Sequence, residues 1–362
     1  MNSETSFKRP ALLAAVLIVL IALPTIADAT GYSALTSLAT RILIYGIAAA
    51  SLNLVLGYGG LVSFGHAAFF GIGGYVVGIL YQHYSLEEPL FGFIPGTNQM
   101  LITLPAAILI SGLAAAAIGA LSLRTGGVQF IMITLAFAQM LFFLFVSLKT
   151  YGGDDGLIIR RTNELPGLNM RDKHTVYYVC LVITAAFFAL LWRIVNSRFG
   201  NVLVGLRQSE KRMAAIGLPA YRYRLMAFII SGMGCGLAGA LMANFLRFAS
   251  PDMMHWTKSG ELMVMVILGG VGTLFGPLIG AAVFIVLETT LASWTENWQL
   301  ALGFILLFVV LYTHGGVQAL VLRLAHRPEN RNRFSESTMR RFKVLERPLR
   351  VRKDARRSNG KR

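Results

Sequence analysis

Between Arg41 and Glu87 the chain reads RILIYGIAAASLNLVLGYGGLVSFGHAAFFGIGGYVVGILYQHYSLE, with no Lys, Arg, Asp or Glu inside those bounds. A bilayer core is crossed by roughly 20 apolar residues in a helix, so this run is too long for one crossing. Gly57-Tyr58-Gly59-Gly60 divides it into two. Outward from it lie further charge-free windows: Pro10–Ala27, Pro89–Leu123, Thr125–Leu148, His174–Trp192, Leu225–Leu246, Leu262–Leu287 and Asn297–Leu322. The window Leu262–Leu287 is itself broken, by Gly269-Gly270-Val271-Gly272-Thr273 and by Gly276-Pro277. About ten hydrophobic segments result. The broken ones can be half-helices or re-entrant, so the expectation is an all-α polytopic membrane protein with about eight to ten spans.

Composition agrees. Apolar residues make up 55% and charged residues 14%, against about 25% charged in soluble domains. A soluble enzyme, a disordered chain and a disulfide-stapled secreted domain are excluded. Of the net charge of +16, +11 lies beyond Gly315. The basic excess is therefore a tail and not a nucleic-acid-binding face. Cys180 and Cys235 sit far apart in apolar runs and read as small hydrophobes.

Cytoplasmic loops carry the excess of Lys and Arg. With Lys8 and Arg9 inside and ten segments threaded, the inner side receives 25 basic residues and the outer side seven. Both termini are then cytoplasmic. The run after Lys8-Arg9 also fits a signal peptide cleaved near Ala27-Asp28-Ala29, although it is long enough to cross uncleaved. Residues 1–315 form the membrane domain, with one sizeable inner loop at 196–224, and residues 316–362 form a basic tail. The tail has a partial apolar stripe, Phe334, Phe342, Leu345 and Leu349, suited to a solvated segment, an anionic membrane surface or a partner contact.

Non-helical backbone at membrane depth is tolerated only where it is buried in protein or lines a cavity, and interrupted segments in both halves of a chain point to a transport path. On that ground the path is expected at Gly57, Gly59, Gly60, Ser63 and His66, and at Gly269, Gly270, Gly272, Thr273, Gly276 and Pro277. His66 has a second reading, as a packed and hydrogen-bonded core side chain. Three small-xxx-small spacings, Gly74/Gly78, Gly232/Gly236 and Gly272/Gly276/Gly280, suit close helix contacts. Arg41, Glu261 and Glu288 fall near segment ends, within reach of the interface. No carboxylate run at mid-membrane supports a proton- or sodium-coupled carrier, no H-E-x-x-H supports a metalloprotease, and nothing calls for a cofactor or a metal.

The inner loop Asn196–Arg224 reads NSRFGNVLVGLRQSEKRMAAIGLPAYRYR. A helix is expected from about Val202 to Ile216, stopped by Gly217-Leu218-Pro219. It is either an ordinary basic loop or a short helix offered to a cytoplasmic partner.

In order, the chain carries Asn53–Phe69, Gly152-Gly153-Asp154-Asp155-Gly156-Leu157, Ser197-Arg198-Phe199-Gly200, Arg207-Gln208-Ser209-Glu210, Ala214-Ala215-Ile216-Gly217, Ser250-Pro251 and Gly269–Pro277. In this order it resembles the permease subunit of branched-chain (hydrophobic) amino acid ABC transporters, from about Leu52 to Gly316. The resemblance implies that Arg207, Glu210, Ala214, Ala215 and Gly217 belong to a coupling segment that docks on an ATPase. Gly153, Asp154, Asp155 and Gly156 fall in an outer loop. It implies four kinds of partner: a second homologous permease subunit, cytoplasmic ATP-binding subunits, an extracytoplasmic solute-binding protein and membrane lipid. The chain has no G-x-x-x-x-G-K-[ST] of its own, so it is expected to be a transport subunit and not an enzyme. Similar permeases for urea, short amides or other small solutes, and a self-sufficient carrier, remain the alternatives.

Overall fold

The described backbone is mostly helical. A computed structural model describes residues 20–25, 27–28, 34–89, 95–294 and 297–312. The basic tail, its apolar stripe and most of the first hydrophobic segment lie outside the described residues. All described residues belong to the unit Met1–Ala319.

Eleven helices are labelled here: α1 (Ala34–Asn53), α2 (His66–Leu86), α3 (Met100–Ser122), α4 (Val128–Ser147), α5 (Lys173–Val195), α6 (Arg198–Gln208), α7 (Glu210–Ala215), α8 (Ala220–Leu246), α9 (Trp256–Gly269), α10 (Gly276–Trp294) and α11 (Trp298–Tyr312). A π-helical turn, Leu54–Tyr58, continues α1. Nine hydrophobic segments thus recur as helices, and the first recurs in part as helical residues at 20–25 and 27–28. Among the described residues, six helical runs are long and apolar enough to cross a membrane: Ala34–Tyr58, α3, α4, α5, α8 and α10. That is fewer than the eight to ten expected. The tyrosines, Gln82 and His83 of α2 lower its apolarity. The 14 residues of α9 reach only about 21 Å at 1.5 Å per residue.

The central helices are α1 and α8, whose most apolar stretches are 83% and 72% buried inside the protein, against 17% for α4. Glycine is a poor helix former in water, yet α8 carries Gly232, Gly234, Gly236 and Gly239. With no apolar drive between helices in lipid, close backbone approach has to hold them together. A Cβ on Gly239 would sit 1.7 Å from the Phe70 carbonyl of α2, and one on Gly73 would sit 1.9 Å from the Gly236 carbonyl. Across the other face, Gly232 and Gly236 meet Ala115 and Ser111 of α3. In the Gly74/Gly78 pair, Gly74 faces Met253 and the Gly239 carbonyl of α8, whereas Gly78 faces Leu157 and Ala249 of the paired strands. Cys180 and Cys235 are buried free thiols within this packing.

The connections sort to two ends. At one, the segment after α4 folds through two 3₁₀ turns, Lys149–Tyr151 and Gly153–Asp155, into strand β1 (Leu157–Ile158). It pairs antiparallel with β2 (Phe248–Ala249), Leu157 opposite Ala249. Gln82 Nε2 donates to the Thr150 carbonyl at 3.1 Å, and Asn163 accepts no side-chain hydrogen but donates its backbone N–H to Asn244 Oδ1 at 3.1 Å. The first segment is held to α5, where the Tyr177 hydroxyl donates to the Leu20 carbonyl at 2.7 Å. The opposite end carries the two glycine breaks together with α6 and α7.

Candidate functional site

The two breaks meet. Asn53, on the last turn of α1, holds the 270–275 loop with both halves of its amide. Its Nδ2 donates to the Thr273 carbonyl at 2.8 Å, and its Oδ1 accepts from the Gly272 N–H at 2.9 Å. Thr273 Oγ1 donates to the Gly270 carbonyl at 2.7 Å, closing the turn. A Cβ at Gly57 would lie 2.5 Å from the Gly272 nitrogen, so the two breaks touch backbone to backbone. Gly272 has φ +80°, a conformation that costs other residues roughly 1–3 kcal/mol.

Arg207, at the end of α6, completes this junction. Its Nη1 donates to the Gly57 carbonyl. A Cβ on Gly60 would meet Arg207 Cγ at 2.8 Å, and one on Gly272 would meet Nη1 at 3.2 Å. A guanidinium donates several N–H groups in a fixed plane, so one side chain reaches both breaks. Gly269 and Gly276 come together behind it, where a Cβ on Gly269 would sit 1.8 Å from the Gly276 carbonyl. Pro277 follows at the buried start of α10.

Two expectations about this region change. Gly57 does not interrupt the helix, because the π turn carries it on to Tyr58; the irregular backbone is confined to residues 59–65. The single helix expected from about Val202 to Ile216 is two helices. Ser209 lies between them in extended conformation (φ −164°, ψ 107°), and its Oγ accepts from the Arg212 N–H at 3.4 Å as the N-cap of α7. Serine competes for backbone hydrogen bonds and favours such caps. The stop at Gly217 is as expected: with φ +82° it accommodates a double closure, Leu218 N–H to the Met213 carbonyl at 3.1 Å and Gly217 N–H to the Ala214 carbonyl at 2.9 Å. Glu210 pairs with Arg224 of α8 at 2.9 Å. Ala214, Ala215 and Gly217 are exposed, and Ile216 beside them is 69% exposed.

Ser63 and His66 take no part in the junction and are fully buried. His66 Nδ1 lies 3.1 Å from Ser63 Oγ, and Nε2 lies 2.7 Å from Ser231 Oγ. Ser231 donates onward to the Ser51 carbonyl, so its oxygen accepts from Nε2–H. Ser63 Oγ accepts from the Gly65 N–H at 3.2 Å, which leaves its proton for Nδ1. The chain closes with a neutral Nε2–H imidazole. Phe69 and Phe228 pack edge-on against the ring. In this conformation His66 is the packed, satisfied histidine of its second reading. Gly59 packs against the Val55 carbonyl.

In the loop after α4, Gly152, Gly153 and Gly156 all have positive φ. They let the chain reverse around Asp154 and Asp155, which are exposed. The glycines of that motif shape the turn.

Arg41, Glu261 and Glu288, expected near segment ends, stand within about two turns of the ends of α1, α9 and α10. They are paired inside the helix layer. Arg41 of α1 meets Glu288 of α10 at 3.3 Å, and Lys258 meets Glu261 at 2.8 Å within α9. Sequence spacing does not single out Asn53, Ser231 or Lys258. Asn53 left one trace, an amide four residues before Gly57 inside a charge-free run. The partners of Ser231 lie 165 and 180 residues away.

Comparison with known proteins agrees with this architecture. The family described as "Branched-chain amino acid transport system / permease component" matches residues 34–311. The chain is similar to the "High-affinity branched-chain amino acid transport system permease protein LivM" of Salmonella typhimurium, 26% identical over 337 residues, covering 86% of this chain and 76% of that one. Its counterpart in Escherichia coli is 27% identical, covering 77% and 69%. The "Probable branched-chain amino acid transport permease protein LivM" of Methanocaldococcus jannaschii is 25% identical, covering 72% and 82%. No solved structure matches. With the family's match running from the start of α1 into α11, the chain belongs to the branched-chain amino acid transport system permease family.

Proposed function

We propose that this chain forms part of the membrane path of an ATP-driven importer for branched-chain and other small hydrophobic amino acids, energised by a separate cytoplasmic ATPase. The observation that carries the reading is Arg207. It stands on the 198–217 segment and binds the Gly57 carbonyl, while its stem packs on Gly60. A push on α6–α7 therefore displaces the contact between the two breaks directly. Ala214, Ala215, Ile216 and Gly217 supply a small exposed surface for docking, and the Glu210–Arg224 pair joins α7 to α8, so the same push reaches a central helix. Rocking between two packings requires that each ligand bind one of them better; the ATPase supplies that bias from inside and a loaded binding protein from outside. A second copy or homologue of the permease would complete the path. In this reading 196–224 and both termini are cytoplasmic, and 149–172 with 247–255 is outside.

The test is a photoreactive residue at position 215 in native membranes. Cross-linking to a P-loop ATPase, together with leucine uptake in vesicles that needs internal ATP, is the expected result. Uptake that proceeds without ATP, with no cross-linked product, overturns the reading in favour of a self-sufficient carrier.

A further inference from the structure

Two ion pairs lie inside the helix layer, away from the Arg207 junction. Arg41 Nη2 is 3.3 Å from Glu288 Oε1, and Lys258 Nζ is 2.8 Å and 3.1 Å from the two oxygens of Glu261. They stand on three helices that pack on one another, α1, α9 and α10, with Tyr45 one turn along α1 from Arg41. Counted along the helices from the glycine breaks at about 1.5 Å per residue, Glu261 stands roughly 12 Å away, Lys258, Tyr45 and Glu288 about 16–18 Å, and Arg41 about 24 Å. That places them within the helices, toward the end that carries β1 and β2.

Charges at such depth are costly and face a water-filled cavity or the interior of a bundle. These four are not sealed in protein. Their side chains keep 29% (Arg41), 24% (Glu288), 33% (Lys258) and 24% (Glu261) of their surface. The Tyr45 side chain is nearly buried and stacks on Phe70 at 5.8 Å, and among the described residues its hydroxyl has no hydrogen-bond partner. The cluster is electroneutral, with two cations and two carboxylates on three helices, and one uncommitted hydroxyl among them.

Resting on the import reading above, we infer that Arg41, Lys258, Glu261 and Glu288, with Tyr45, form a passing site for the zwitterionic head group of an amino acid. The substrate carboxylate exchanges onto Arg41 or Lys258 and its ammonium onto Glu288 or Glu261. Net charge in the membrane is unchanged at every stage. The two pairs close on each other when the substrate leaves, so no ion is left bare. A neutral amide lacks the charges that this exchange uses.

The experiment takes the assembled transporter in proteoliposomes with its binding protein and measures leucine moved per ATP hydrolysed. Buried ion pairs replaced by apolar residues of similar volume are often neutral or stabilising, so Arg41→Met/Glu288→Met is expected to assemble and hydrolyse ATP at the wild-type rate. Its leucine-to-ATP ratio is expected to fall at least about tenfold, an effect that purely structural pairing does not produce. Tyr45→Phe removes a hydroxyl with no partner in the resting protein, and the ratio is expected to fall about fivefold, the worth of one hydrogen bond. Wild-type ratios in both variants overturn the inference. Loss of assembly in the methionine pair with a wild-type ratio in Tyr45→Phe assigns the pairs to packing and overturns it as well. If the wild-type protein itself moves leucine without ATP, the import reading falls, and that outcome is read before any variant is made.

Discussion

At the scale of the residue, Asn53 and Arg207 carry the junction, and each makes its case by a different kind of contact. Asn53 closes two hydrogen bonds to one loop, at 2.8 Å and 2.9 Å, worth roughly 1 kcal/mol each net. Asn53→Leu leaves a Gly272 N–H and a Thr273 carbonyl without their partner, and thermal stability of the detergent-extracted protein is expected to fall by about 2–3 kcal/mol equivalent. Arg207→Met keeps much of the stem packed on Gly60 but deletes the bond to the Gly57 carbonyl. Uptake is expected to fall more than about tenfold while ATP hydrolysis continues, since a truncated charge-assisted bond is worth about 1.5–3 kcal/mol. Equal loss of uptake and hydrolysis would mean that Arg207 only holds the fold. Gly272→Leu adds backbone strain at φ +80° to a side chain aimed at Arg207, and transport is expected to be abolished; normal transport would show that the 270–275 loop tolerates rearrangement.

At the scale of the element, helices α2 and α8 touch through backbone where Gly73, Gly236 and Gly239 leave no room for a Cβ. Gly239→Val is expected to remove folded protein from the membrane, judged by thermal aggregation after extraction. Gly303 in α11 has nothing within 4 Å of an added Cβ among the described residues, and Gly303→Val is expected to be silent. Equal behaviour of the two would deny that close approach holds the bundle. Hydropathy and run length revealed these helices because an apolar run of such length has no other stable form in lipid. They did not reveal what each glycine touches: Gly232 and Gly236 pack on α3, whereas Gly78 faces the paired strands. The division of the 198–217 segment at Ser209 was equally hidden, since helix-favouring residues flank it on both sides and only the cap geometry separates α6 from α7.

At the scale of the whole molecule, the ends of the helices sort consistently: the glycine breaks share an end with α6 and α7, and the paired strands with the 149–172 loop take the other. Single cysteines at Asp155 and Ala214, both exposed, test the orientation. A membrane-impermeant maleimide on intact cells is expected to label position 155 and to spare position 214 until the membrane is broken; the reverse pattern would turn the protein over. The sequence by itself determined the membrane class, the segments and the family likeness, because hydropathy, charge bias and motif order are local properties that survive without knowing any contact. Only the tertiary structure decided that Gly57, Gly272 and Arg207 meet, that His66 is spent on Ser63 and Ser231, and that Arg41 pairs with Glu288. Those partners are up to 247 residues apart, and side-chain pairing over such distances is set by how helices pack, which no local pattern encodes.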